Sequence, residues 1–473
     1  MNISQLLLMR NELLLTVLLL IVLMVEIFSG TRKSKSVLWI SILGFFMITL
    51  TGFLPLKEGS LFGGMYQTNQ TTWCMKNILN LGLLLVLMQS WKWLQHENNE
   101  GKVSEYIMLL LSTLMGMNFM FSSGDFLMMY LGLELATIPI AALAAFDKFS
   151  NRSAEAGIKL ILSSALSSGV LLFGISILYG TTGSIFFTDI AGKVSLNSLQ
   201  TLGLIFFVSG MGFKISLVPF HLWTADVYEG SPIGITSYLS VVSKGAAVFT
   251  LILVLFKAFH AIIMIWEPLL YTLAVSTMTI GNLFALRQNN MKRFLAFSSI
   301  TQAGFILLGI MGASPLGMAT VIYFVLIYVF TNLAAFGVVM AISNATEKEN
   351  IEDYKGLYLT NPKLSLVMLL SMFSLAGIPP VAGFFGKFFL FTAAASKGYY
   401  MLVFIAVINA TISLYYYLRV VKAMFIDKSD TPIPYFKSDF PMRLSLIICM
   451  AGIFLIGFAS FIYEYILSIS FGI

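Results

Sequence analysis

Apolar residues run along this chain in long blocks rather than in short amphipathic stripes. Windows near 6–28, 37–56, 77–95, 104–121, 126–146, 157–179 and 199–218 are followed by windows near 232–257, 266–286, 294–311, 316–343, 364–395, 399–425 and 444–470. Crossing roughly 30 Å of hydrocarbon takes about 20 apolar residues of helix. The pattern therefore predicts about 14 transmembrane helices joined by short polar connections. Residues 6–28 are too long for the apolar core of a secretory leader, and no small-x-small cleavage site follows, so they are read as the first span. The most polar connection is 344–363, which holds Glu347, Lys348, Glu349, Glu352, Asp353, Lys355 and Lys363.

Two windows are interrupted. In the seventh, Lys214-Ile-Ser-Leu-Val-Pro219-Phe-His221-Leu-Trp223 stops a continuous apolar run; in the twelfth, Ser374-Leu-Ala-Gly-Ile-Pro379-Pro380 through Gly386-Lys387 does so more severely. Proline removes a helix donor and clashes with the preceding turn. Freed carbonyls in a bilayer need partners from protein or water. Broken helices at matching places in two halves point to a transport site. The places match: Pro219 lies about 115 residues after the fourth window begins, and Pro379 about 113 after the ninth. Two five-helix repeats follow as an expectation, spans 4–8 and 9–13. Five is odd, so the second must be inverted in the membrane. The expected organisation is a three-helix segment over 1–100, a first repeat over 101–260, an inverted repeat over 261–426 and a C-terminal helix over 427–473.

Composition sharpens this to an all-α polytopic membrane protein. Of 473 residues, 58% are hydrophobic and 11% charged, and the mean hydropathy is +0.90. Soluble domains carry roughly 25% charged residues. A soluble enzyme, a nucleic-acid binder and a disulfide scaffold are excluded. Cys74 and Cys449 form no CxxC, and His96, His221 and His260 are not clustered. The net charge of +6 is distributed by loop. Connections and span ends after spans 1, 3, 5, 7, 9, 11 and 13 hold 18 Lys and Arg, against 6 on the other side. Positive residues favour the cytoplasm, which puts both termini outside and agrees with an even span count.

Four lysines remain inside apolar windows: Lys159, Lys214, Lys244 and Lys387. Glu134 joins them, nine residues after Asp125 and thirteen before Asp147, near mid-membrane. A single charge there costs about 2.5–3.5 kcal/mol on insertion scales, so such residues mark ion or proton pathways by default. Glu134 with Lys214 is the natural pair. At about 4 Å and an effective dielectric near 20, the attraction is about 4 kcal/mol. A carboxylate that approaches and withdraws thus loads and unloads a buried amine. One carboxylate against four lysines favours protons over a metal cation. Each residue has a plainer alternative: Glu134 as a static counter-ion, Lys159 snorkelling from near the start of its span, His221 and Trp223 as interface anchors.

These residues resemble a known family. Gly132-Leu-Glu134-Leu with Pro139, then Gly157-Ile-Lys159 and Ser163 to Gly169, are similar to the fifth and sixth spans of subunit N of NADH–quinone oxidoreductase, respiratory complex I. Gly212-Phe-Lys214 through Trp223, with Asp226-Val-Tyr228 and Gly230-Ser-Pro232, resembles its broken seventh span. Ser243-Lys244, Arg293 to Ile300, and Gly377 to Lys387 resemble the eighth, tenth and twelfth. Lys387 fits subunit N, where another antiporter-like member has glutamate. Thr301-Gln302 departs from relatives that carry a histidine nearby.

The resemblance implies an antiporter-like, proton-translocating subunit of a respiratory enzyme in the bacterial inner membrane. It implies a relay through Glu134, Lys214, Lys244 and Lys387, with Lys159 and His221 as further candidates, moving protons from cytoplasm to outside. No metal or redox cofactor is expected in this chain; quinone, FMN and iron–sulfur clusters are expected in partner subunits. Partners would be other membrane subunits of complex I and the bilayer. The alternative is a subunit of a multisubunit cation/proton antiporter or a membrane-bound hydrogenase.

Overall fold

The computed structural model describes residues 3–29, 34–55 and 57–472. It is helical almost throughout. The first three long helices are α1 (Arg10–Ser29), α2 (Ser34–Thr51) and α3 (Gln70–Gln89). Between the last two stands a small antiparallel hairpin, β1 (Gly59–Leu61) and β2 (Tyr66–Thr68), in the register Gly59↔Thr68 and Leu61↔Tyr66. Next come α4 (Val103–Phe121), α5 (Phe126–Ala144), α6 (Asn151–Thr182) and α7 (Ser198–Ile215). A short α8 (Leu222–Gly230) leads into α9 (Ile233–Ala258), which contains a π-helical turn at Leu239–Ser243. Then follow α10 (Ile263–Ala285), α11 (Met291–Met311) and α12 (Pro315–Thr346). The chain closes with α13 (Pro362–Ala376), α14 (Ala382–Ser396), α15 (Tyr400–Phe425), α16 (Phe440–Phe458) and α17 (Ser460–Ile469).

Helix starts follow from local chemistry. Asn69, Asp125, Ser150, Asn290 and Ser314 each accept a backbone N–H of the first turn they precede, satisfying donors that a helix leaves bare. At the other end, α6 and α13 stop on left-handed glycines, Gly183 and Gly377.

Every expected window has a helical counterpart. Twelve helices among the described residues are long and apolar enough to cross a membrane. The expected second span is α2, of 18 residues like α7, and the twelfth is split into two 15-residue halves, α13 and α14. Both breaks fall at the prolines. Helix α7 ends at Ile215 and α8 begins at Leu222, around Val218–Pro219; α13 ends at Ala376 and α14 begins at Ala382, around Pro379–Pro380.

Helices α9, α11 and α12 form the interior and are almost wholly buried, whereas α1, α6, α10 and α15 lie at the periphery with apolar side chains turned outward. Helix α4 packs closely on α5, α7 on α6 and α10 on α11. Helices α4 and α5 approach backbone to backbone. A Cβ on Gly116 would stand 2.4 Å from the Ala136 nitrogen, and one on Gly132 2.7 Å from the Gly116 oxygen. Small residues at such crossings let spanning helices meet backbone to backbone. This contact sets the position of α5, which carries Glu134.

Candidate proton-relay site

The first broken helix is stitched together by its own side chains. Ser216 takes a left-handed conformation (φ +68°), and the Ser216 and Leu217 amides donate back to Phe213 and Gly212. The Trp223 indole N–H donates to the Phe213 carbonyl at 3.1 Å, and its ring stacks on Phe213 at 5.2 Å. Val218 N–H donates to Thr277 Oγ1 at 3.0 Å. Carbonyls and amides released at the break are thus satisfied by protein, as hydrocarbon surroundings demand.

Lys214 projects from the last turn of α7 toward α5. Its ammonium donates to Thr137 Oγ1 at 2.8 Å, three residues from Glu134 on the same helix. Glu134 Oε1 is buried and has no hydrogen-bond partner among the described residues. A carboxylate oxygen left bare in this way implies a water or a movable partner. A cavity of about 30 Å³ adjoins Lys214, lined by Thr137, Trp223, Leu239 and Ser243 among mostly apolar side chains, which is room for about two waters. Ser243 immediately precedes Lys244. The void therefore reaches from Lys214 to the residue beside the next lysine.

Lys244 is buried in the centre of the molecule. Its ammonium donates to both the Oγ (2.8 Å) and the carbonyl (3.1 Å) of Ser299 on α11. From there a line of polar groups crosses to the second break. Ser298, the neighbour of Ser299, shares a 2.6 Å hydrogen bond with the Tyr417 hydroxyl on α15. Gln302 Nε2 donates to that hydroxyl at 3.1 Å and to the Leu375 carbonyl at 3.0 Å. Lys387 donates to the same Leu375 carbonyl at 2.8 Å and to Ala376 at 2.9 Å. These are the last carbonyls of α13, where a cation complements the helix dipole. The Phe305 ring lies 4.8 Å from the Lys387 ammonium. Gln302 Oε1 has no partner among the described residues, and a void of about 10 Å³ beside it is close to the size of one water.

The six residues expected from sequence do not all converge. Lys214 bonds Thr137, one turn along α5 from Glu134; Lys244 bonds Ser299, whose chain neighbour Ser298 begins the Tyr417–Gln302 line that ends on the Leu375 carbonyl beside Lys387. His221 is buried at the first break, with Nδ1 unpartnered among the described residues. Lys159 stands apart. It pairs with Glu155 and Asp226 at 2.7 Å each, and Arg293 joins Asp226 at 2.7 Å and Glu229 at 2.9 Å. With 41% of its side chain exposed, Lys159 sits in a half-solvated ion network rather than on the buried line.

Beside that network opens a polar cavity of about 470 Å³. Asp147, Arg152, Glu229, Lys292, Glu347 and Glu349 line it, and it reaches the start of α9 at Ile233 and Gly234. Lys292 is buried there, 3.4 Å from Glu349 and donating to the Ser231 carbonyl.

Tyr417, Ser299 and Thr137 were not singled out by sequence reasoning. Hydroxyls are common in spanning helices, and nothing in their spacing separates these from their neighbours. Among the described residues, no group of three or more His, Cys, Asp or Glu could hold a metal ion.

The chain is similar to known proteins over most of its length. A family model described as NADH:quinone oxidoreductase/Mrp antiporter, TM, matches residues 123–413. The chain is 49% identical to NADH-quinone oxidoreductase subunit N of Phocaeicola vulgatus over 98% of both chains. It is 50% identical to the subunit N of Azobacteroides pseudotrichonymphae, over 100% of this chain and 99% of the other. Among solved structures, a chain of respiratory complex I from Thermus thermophilus with bound aureothin is similar at 28% identity. Its TM-score is 0.81, covering 96% of this chain and 98% of that one. A chain of the Mrp complex from a Dietzia species shares the fold at 19% identity, with a TM-score of 0.85 over 99% and 97% of the two chains.

Proposed function

The chain belongs to the family of NADH-quinone oxidoreductase subunit N, and from that premise we propose that it carries protons from cytoplasm to outside through Glu134, Lys214, Lys244 and Lys387 while quinone is reduced elsewhere in the complex. Members of this family are antiporter-like membrane subunits, so the other membrane subunits are its partners and the bacterial inner membrane its location. Both termini lie on the outer side by the distribution of positive charge. The chain itself holds no redox group; hydride and electron transfer belong to other subunits.

The observation that carries the relay is the run of buried polar groups between Lys244 and Lys387: Lys244 on Ser299, then its neighbour Ser298 bonded to Tyr417, Tyr417 to Gln302, and Gln302 sharing the Leu375 carbonyl with Lys387. Hydroxyls both donate and accept, and a lysine accepts a proton once it has given one up, as hopping requires, whereas the Leu375 carbonyl only accepts. The amide of Gln302 does not readily release a proton, and the unpaired Gln302 Oε1 is where a water completes the path. The polar cavity over Asp147, Glu229 and Glu349 is the uptake side. Lys159, Asp226 and Arg293 at its rim gather and hold charge there. His221 is a further candidate at the first break. The paired breaks support two inverted five-helix repeats, over 101–260 and 261–426, with 1–100 and 427–473 flanking them.

Glu134→Ala and Lys244→Ala in the assembled complex test this. Quinone-linked acidification of inside-out vesicles should fall at least severalfold while the complex still assembles. Normal proton-to-electron stoichiometry in both variants would rule the relay out.

A further inference from the structure

One buried ion pair takes no part in this path. Lys76 on α3 donates to Glu12 Oε1 on α1 at 2.6 Å, and both side chains are only 3% exposed. The Tyr66 hydroxyl on β2 closes a triangle: it accepts from Lys76 at 2.8 Å and donates to Glu12 Oε2 at 3.1 Å. The Lys76 ammonium also lies 5.0 Å from the Tyr66 ring centre. Burial pushes the Tyr66 phenol up to about 12, so near neutral pH it remains a protonated bridge. A buried pair of this kind is weak evidence for stability, and removing one partner strands the other charge. Its placement therefore needs another reason.

The hairpin that carries Tyr66 is a junction. Gln67 N–H donates to Ser122 O at 2.7 Å and Gly124 N–H to Met65 O at 2.6 Å, so β2 docks on the α4–α5 turn. Asp125, the next residue, caps α5. Lys257, near the end of α9, donates to Gln67 Oε1 at 3.0 Å. The approach is close enough that a Cβ on Gly124 would stand 2.0 Å from the Gly64 oxygen. The hairpin thus ties α1 and α3 to the two helices that carry Glu134 and Lys244.

It does so at the end opposite the large polar cavity. Helix α3 begins beside the hairpin and ends next to Ser90, which lines that cavity; α9 begins at the cavity and ends at Lys257. Twenty residues of helix separate the two ends of α3, which is about 30 Å. Under the hairpin, Asn118, Ser122 and Asp125 keep buried polar atoms without partners among the described residues. Such groups draw water wherever it can reach them. Asn118 lies in the same turn of α4 as Met117 and Met120, which line the cavity beside Lys214. One helical turn separates the underside of the hairpin from the proposed relay.

We propose that Glu12, Tyr66 and Lys76 form an ionic clamp that holds the hairpin shut as a seal, so that releasing it opens a proton leak past Lys214. The clamp stands on its own contacts; the route of the leak rests on the relay reading.

The test uses inside-out membrane vesicles carrying the whole complex. It measures quinone reduction, the size of the pH gradient, and the decay of that gradient once NADH oxidation is stopped. In Tyr66→Phe and in the double variant Glu12→Gln with Lys76→Met, reduction should stay within twofold of the parent while the gradient decays at least threefold faster. Gly124→Ala, which lifts the hairpin without touching the triad, should decay equally fast. The exchanged pair, Glu12→Lys with Lys76→Glu, should bring decay back toward the parent. If Lys76→Met alone prevents assembly, its recovery on adding Glu12→Gln supports the pairing. Parental decay in every assembled variant overturns the clamp. Glu134→Ala and Lys244→Ala serve as the contrast. If those pump normally while the clamp variants leak, the relay fails and the seal survives; if those lose pumping while the clamp variants stay tight, the seal alone fails.

Discussion

At Lys387 one ammonium rests on two carbonyls that the end of α13 leaves bare, and the same Leu375 oxygen receives Gln302. Lys387→Met takes away both bonds and leaves Ala376 O unsatisfied, a loss of about 1–3 kcal/mol for a buried polar group. A lower thermal midpoint of the purified complex, with pumping lost, is expected; an unchanged midpoint would show that the carbonyls find other partners. Gln302 offers a gentler probe. Gln302→Leu severs the line between Tyr417 and Leu375, and quinone-linked acidification should fall more than twofold with assembly intact. Gln302→His puts a titratable ring at the same place and should keep acidification at or near the parental level. Thr301-Gln302 departs from the histidine that relatives carry nearby; in the fold the Gln302 amide donates to both Tyr417 and Leu375. Charges in an oily run are visible to inspection, which is why Glu134, Lys214, Lys244 and Lys387 stood out. Glu12 and Lys76 did not, because Glu12 lies in the first third of its window and Lys76 just before its own, where a charge reads as belonging to the headgroups. Only the fold brings them together across α1 and α3.

Among the elements, the two breaks were legible because proline cannot donate and its ring obstructs the turn before it. The way they are repaired was not. Trp223 looked like an interface anchor, yet its N–H fills the Phe213 carbonyl inside the break. Trp223→Phe keeps the stacking and loses that bond, so Lys214, one residue further on, should be less well held. A modest fall in pumping, larger than any fall in assembly, is the expected reading. Contact between α4 and α5 allows a sharper test. Gly132→Ala places a methyl carbon 2.7 Å from the Gly116 oxygen. The helices must part, and Glu134 sits two residues away. Assembly and pumping should both drop, and recovery of both would require a compensating shift elsewhere along α5. Window counting gave fourteen spans; among the described residues thirteen of the windows hold one long helix each, α2 included, and the twelfth holds the halved α13–α14. Hydropathy counts apolar residues and does not see where a helix stops.

Across the whole molecule, polar space is distributed unevenly. The cavity of about 470 Å³ at one end contrasts with voids of about 30 and 10 Å³ along the buried line. A density map of the assembled complex should show ordered waters in the large cavity, about two beside Lys214, and one near Gln302 Oε1; an empty, apolar void at Lys214 would sever the first half of the route. Beyond Lys244, α9 presents an apolar run to Phe256, broken only by Thr250, whose hydroxyl bonds back to Ala246. That asymmetry has an electrical consequence. Water in the wide chamber brings the potential of its own compartment deep into the molecule, so most of the voltage drops over the dry layer beneath. Each elementary charge moved through the full membrane potential works against about 2.3 kcal/mol per 100 mV. Travel from Lys244 toward Lys387 runs sideways, from one helix to another, and hardly samples that field. On the relay reading, membrane voltage then opposes loading and discharge while leaving the sideways passage nearly untouched.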